Sequence, residues 1–186
     1  MFQRIKNKIK TFYYVRFKHY TLNELNIEKW RKSGITIGDN CIFCCSLPVG
    51  RDSSLLSFGD NVLVSVNVIF LMHDASPTVL SNDESTDIIG KISIGNSCFI
   101  GANSIILPGV SLADYTLVGA GSVVTHSTVH PGQVIAGNPA RVVCTVEEYL
   151  KKNNDYLVNL DGIDYEKMKV LIEENPCVLV KKSSLK

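Results

Sequence analysis

The sequence contains no apolar run that approaches the roughly 18–20 residues of a membrane-spanning helix. Its N-terminus is basic but lacks the continuous apolar core of a signal peptide. A cytoplasmic protein is therefore expected. Neither charge sign is in surplus: 19 Lys/Arg face 18 Asp/Glu, for a net of +1. That balance removes the whole-chain case for nucleic-acid binding. No disulfide framework is visible either. The six cysteines, Cys41, Cys44, Cys45, Cys98, Cys144 and Cys177, are few for a chain of this length. Cys41-x-x-Cys44 has no second pair to complete a four-ligand zinc site, so no metal is expected. The thiols read as small buried residues of a reducing compartment. Histidine is scarce as well, and His73 is the only one from Gly34 to Thr125.

What remains is a chain of 186 residues, 45% hydrophobic and 20% charged, which suits one globular domain with appendages. The charge is unevenly spread. Residues 1–33 hold nine Lys/Arg against two acids, a net of +7. Residues 34–144 hold three against eight, a net of −5, and residues 145–186 hold seven against eight, a net of −1. This divides the chain into a basic N-terminal segment (1–33), a mildly acidic body (34–144) and a C-terminal segment (145–186).

The body repeats. From Ile94 an aliphatic residue recurs every six positions: Ile94, Ile100, Ile106, Leu112, Val118, Val124. Four positions after each stands a small or β-branched residue: Cys98, Ser104, Val110, Thr116, Ser122, Thr128. Upstream, Ile37 with Cys41, Phe43 with Leu47, Phe58 with Val62, Val64 with Val68, and Phe70 obey the same rule, after a register shift near Pro48–Ser54. A period of six fits neither an amphipathic helix nor a long two-sided strand. It describes a short strand and a sharp turn, repeated, with one large and one small inward side chain filling a narrow prism.

This pattern resembles that of the hexapeptide-repeat acyltransferases over roughly residues 34–144. The resemblance implies a mainly β fold, a left-handed parallel β-helix with three hexads per coil, assembled as a homotrimer. Short terminal helices are expected around it. Apolar residues at helical spacing between Phe2 and Tyr13, interleaved with Arg and Lys, suggest a helix within 2–20. It would either pack on the coil end or a neighbouring subunit, or make weak membrane-surface contact. Thr21-x-x-Glu24 and Thr145-x-x-Glu148 are capping-box spacings, and Asp164 could cap a helix over 165–174, stopped by Pro176. The C-terminal helices are expected to cover the open edge of the last coil.

The repeat is interrupted once, between Phe70 and Ile94. Its positions there fall on Ser76 and Asn82, which cannot fill an apolar prism, so a loop over 74–91 must leave the coil. His73 stands at its mouth. Family members place their catalytic histidine where a coil gives way to such a loop, which implies that His73 is the general base of acyl transfer. A histidine near neutral pKa suits removal of an acceptor hydroxyl proton. Asp74 is a candidate to orient it, against the plainer reading of a turn residue. Direct transfer needs no covalent intermediate, and Cys44 and Cys45 are read as packing residues from their position in the early coils.

The resemblance also assigns the acyl donor, acetyl-CoA. A turn at Gly101-Ala102 would supply the oxyanion donor, and the flat stretch Gly119-Ala120 would carry the pantetheine arm. Ala102, Ala120, Thr125 and Arg141 match the family's coenzyme-contacting positions. His126 stands where many members have lysine, and Cys144 where they have a second basic residue. Phe43-Cys44-Cys45-Ser46 replaces an early-coil asparagine with which some sugar acetyltransferases contact the acceptor. An O-acetyltransferase acting on a sugar hydroxyl, in surface polysaccharide biosynthesis, is the leading expectation, with a small-molecule or glycan acceptor. An N-acetyltransferase on an amino sugar or a drug, and a non-catalytic scaffold, are the alternatives. A carbonic anhydrase on this fold would need three histidines on zinc, which the coil does not offer.

Overall fold

The computed structural model describes residues 21–80, 86–161, 163–175 and 180. The segment 2–20, and with it the membrane-surface reading, lies outside them, as do Cys177 and Pro176. The chain divides into two compact units, Met1–Val146 and Glu147–Lys186.

The first unit opens with helix α1 (Leu22–Lys32). Thr21 caps it as its spacing predicts: the Thr21 hydroxyl accepts from the Glu24 N–H, and the Glu24 carboxylate accepts from the Thr21 N–H. The helix buries Ile27 and Trp30 against the first coil. It is this helix that plugs the N-terminal end of the prism.

The coils follow as pairs and triplets of strand residues: β1 (Thr36–Ile37), β2 (Ile42–Phe43), β3 (Leu56–Phe58), β4 (Leu63–Val64) and β5 (Ile69–Phe70). After an excursion come β8 (Ile92–Ile94), β9 (Phe99–Ile100), β10 (Ile105–Ile106), β11 (Ser111–Leu112), β12 (Leu117–Val118) and β13 (Val123–Val124). With β14 (Gln133–Gly137) and β15 (Ala140–Thr145) they stack into three sheets, β1-β3-β8-β11, β2-β4-β9-β12-β14-β15 and β5-β10-β13. The parallel register pairs Ser93 with Ser111, Phe99 with Leu117 and Ile105 with Val123, each 18 residues on, which is three hexads per coil. This is the left-handed parallel β-helix that the resemblance implied.

The interior follows the repeat closely. Ile94, Ile100, Ile106, Leu112, Val118 and Val124 are all at most 3% exposed. Ser104, Thr116 and Ser122 are buried too, and their hydroxyls donate to backbone carbonyls of the turns, which removes the desolvation penalty. Towards the N-terminal end the prism is filled by aromatic rings. Trp30, Phe43, Phe58 and Phe70 stack edge to face at centroid distances of 5.3, 5.0 and 5.3 Å.

One edge of the prism is laced by carboxylate and amide side chains. The N–H groups of Asp39, Asp60 and Asn96 donate to the side chains of Asp60, Asn96 and Asp114 on the next coil, at 2.7–2.8 Å. The turns there need left-handed backbone. Asn40 and Asn61 supply it at φ 55° and 56°, and Tyr115 occupies the same kind of position at φ 59°.

Two features depart from the expectations. The last coil strand, β14 (Gln133–Gly137), is covered by β15 (Ala140–Thr145), which pairs with it antiparallel. The strand β14 is therefore followed by a folded-back strand of the same unit. The thiols also differ: Cys41 and Cys98 are buried, but Cys44 is exposed. Phe43 points into the prism, so strand alternation turns Cys44 outward.

Towards the C-terminus, α3 (Val146–Lys152) and α4 (Tyr165–Glu174) form where their caps predict. Asp164 accepts a hydrogen bond from the Lys167 N–H at 2.9 Å.

Candidate active site

The excursion has structure of its own. The chain leaves β5 as β6 (His73–Asp74), forms the short helix α2 (Ser76–Leu80) and returns as β7 (Ile88–Ile89). β6 and β7 pair antiparallel, His73 opposite Ile89 and Asp74 opposite Ile88. The return is fixed at Gly90, whose N–H donates to Met72 O at 2.8 Å.

His73 is half-exposed, with its ring between two carboxylates. Nδ1 lies 3.3 Å from Asp87 Oδ2, and Nε2 lies 3.6 Å from Asp52 Oδ2. Asp52 also meets Arg51, at 3.5 Å from Nε to Oδ1. The ring opens onto a cleft of about 470 Å3 whose walls include Asp52, Arg51, Pro48, Val49 and Met72.

Asp74 is not one of the two carboxylates at the ring. Its Oδ1 accepts from the Ser76 N–H at 2.9 Å. Hydrogen bonds from the Ser76 backbone and side chain hold its carboxyl below the usual carboxylate range, with the nearby His73 a smaller contribution. Successive side chains of a strand point to opposite faces, so Asp74 cannot share the face of His73. Its hydrogen bond serves the turn at Ser76. Sequence reasoning missed Asp52 and Asp87. Both lie where the hexad register breaks, Asp52 in the shift at Pro48–Ser54 and Asp87 at the end of the polar stretch. Those breaks were the available signal.

The positions matched to coenzyme fall on two edges of the prism. Gly101-Ala102 follows β9 and Gly119-Ala120 follows β12, so both sit before the sheet β5-β10-β13. They stack directly: the Gly101 N–H donates to Val118 O, and the Gly121 N–H to Ala102 O, both at 2.8 Å. Thr125 and His126 follow β13, past that sheet, on the edge from which His73 departs. The Thr125 hydroxyl and His126 Nδ1 are 2.7 Å apart. His126 and Arg141 share a cavity of about 350 Å3 with Gln133 and Ile135. Arg141 lies on β15, where it pairs with Ala136. An arginine beside an exposed histidine in such a cavity fits a phosphate-bearing ligand. No group of side chains suited to a metal ion occurs among the described residues, and no described helix is long and apolar enough to cross a membrane.

Comparison with known proteins bears on this arrangement. Residues 91–126 match the family model described as the hexapeptide repeat of succinyl-transferase. Protein CapG of Staphylococcus aureus is 36% identical over 143 residues, covering 74% of this chain and 83% of CapG. The galactoside O-acetyltransferase of Escherichia coli K12 is 35% identical over 118 residues, 62% of this chain and 56% of that enzyme. Among solved structures, a hexapeptide-repeat-containing acetyltransferase from Vibrio cholerae, complexed with acetyl-CoA, superposes with a TM-score of 0.51. It is 27% identical and matches over 60% of each chain. This chain thus spans most of CapG but little more than half of the other two. It belongs to the hexapeptide-repeat family of acetyltransferases.

Proposed function

We propose that the protein transfers an acetyl group from acetyl-CoA to a hydroxyl of a sugar, with His73 as general base. The observation that carries this reading is the half-exposed His73 ring at the mouth of the cleft, its Nε2 on the side lined by Asp52. His73 Nε2 takes the proton of the acceptor hydroxyl as its oxygen attacks the thioester carbonyl. The C–S bond then breaks, and the proton passes to the departing thiolate. Of the expected oxyanion donors, the Gly101 N–H is committed to Val118 O, which leaves the Ala102 N–H for the role. Gly119, Ala120, Thr125, His126 and Arg141 would hold the coenzyme. Because their two edges are separated by the sheet β5-β10-β13, one copy's glycine edge must face another's histidine edge. A homotrimer supplies that pairing.

Similarity to a galactoside O-acetyltransferase supports a sugar acceptor. The short basic N-terminal segment fits a setting in surface polysaccharide biosynthesis. A carboxylate beside the reactive nitrogen also suits an amino sugar, which keeps N-acetylation as the second reading. Thiol release from acetyl-CoA, measured with paired sugar and amino-sugar acceptors, tests all of this. Release with the sugar and not its amino analogue is expected. Release with neither, across a broad panel, would overturn the proposal.

A further inference from the structure

Both ring nitrogens of His73 face carboxylates, yet the two carboxylates are not equivalent. Asp52 lines the cleft, on the Nε2 side. Asp87 is not among the cleft's walls, and it approaches Nδ1, the nearer contact at 3.3 Å. A neutral imidazole carries one N–H, and whichever nitrogen holds it, the other presents a lone pair.

Strand geometry explains why Asp87 meets the ring. His73 pairs with Ile89, and Asp87 stands two residues before Ile89, on the same face of the ladder. That is the diagonal cross-strand position, within reach of a long or aromatic side chain. The second oxygen of Asp87, Oδ1, is buried and has no hydrogen-bond partner among the described residues. A structural aspartate would be satisfied by backbone N–H groups, as Asp60 and Asp114 are by Asp39 and Asn96. Among the described residues, it is the imidazole that the Asp87 carboxylate meets.

We propose that Asp87 is the positioning residue of His73: it accepts the Nδ1–H, fixing the tautomer whose Nε2 lone pair faces the cleft. This rests on His73 being the base, but its test is separable from that reading.

The first measurement is nitrogen-15 NMR of labelled histidine in the wild type and in Asp87→Asn and Asp87→Ala. The wild type should show His73 as the Nδ1–H tautomer, and Asp87→Ala should show a mixture. The second is kinetics. Asp87→Asn should lower kcat about 10- to 1,000-fold, the scale of lost carboxylate partners of imidazoles, with the KM for acetyl-CoA unchanged. In a His73→Ala background the same change should have no further effect. Circular dichroism and light scattering identify any variant that fails to fold, and Asp87→Glu, which keeps the carboxylate, should then recover part of the rate. A wild-type Nε2–H tautomer, or a rate loss that persists without His73, would overturn the proposal. If His73→Ala proved fully active, the base assignment would fail while the tautomer result still judged Asp87.

Discussion

Gly90 lies back to back with Gly109 at the point where the excursion rejoins the coil. A Cβ added to Gly90 would collide with the backbone of Pro108 and Gly109, not with a side chain that could move aside. Gly90→Ala should therefore cost about 1–3 kcal/mol of stability, the scale of overpacking in a tight interior. It should also lower kcat, because Gly90 follows β7, the strand that sets Asp87 against His73. Denaturant unfolding together with an acetyl-transfer assay checks both. An unchanged midpoint would show that the coil yields there.

His73→Ala should reduce kcat by roughly 10²–10⁴-fold, the usual contribution of a general base. Coenzyme A binding, measured by calorimetry, should hardly change, since His73 is not among the residues matched to coenzyme. Wild-type turnover in this variant would refute the assignment.

Arg141→Ala should raise the KM for acetyl-CoA about 5- to 50-fold, equivalent to ~1–2.5 kcal/mol for a charge-assisted hydrogen bond. Arg141 shares its cavity with His126. The acceptor KM should stay put. A shift confined to the acceptor would mean that the phosphate is held elsewhere.

Tyr115 is an exposed aromatic residue held at φ 59°. Asn40 and Asn61 adopt the same backbone at equivalent turns, and asparagine tolerates it better. Tyr115→Asn should leave activity intact and add about 0.5–1 kcal/mol of stability. Thermal unfolding reads the sign, and a lower midpoint would show that the ring contributes packing.

Burial pushes the Cys98 thiol up to about 11, so at pH 8 it is almost wholly protonated as well as inaccessible. Cys44 is exposed. A maleimide at pH 8 should label Cys44 in the folded protein and Cys98 only after denaturation, as read by peptide mass spectrometry. Rapid native labelling of Cys98 would mean that the coil opens locally.

The coil was legible in the sequence because its physics is local. Each of Ile94 to Val124 must enter the same narrow prism, so the period appears without any long-range information. The excursion was legible as an interruption, and His73 as the residue at its mouth. Its partners were not. Asp87 reaches His73 through a two-residue ladder that no periodicity announces, and Asp52 comes from the turn where the register slips. Asp74, the sequence neighbour, is a candidate that adjacency alone suggests, and its hydrogen bond goes to Ser76. The antiparallel β15 was hidden for a similar reason, since nothing in Ala140–Thr145 distinguishes a returning strand from another coil.

Placing the coenzyme positions on two separate edges has a genetic consequence. Under the proposed assembly, His73→Ala damages one edge of a subunit, and Ala120→Trp would block the other. Neither variant alone could build a working site. Subunits of the two kinds, unfolded and reassembled together, would bring an intact histidine edge against an intact alanine edge at some of their junctions. Two inactive proteins would then complement one another, and the inactive alleles would do the same when expressed in one cell.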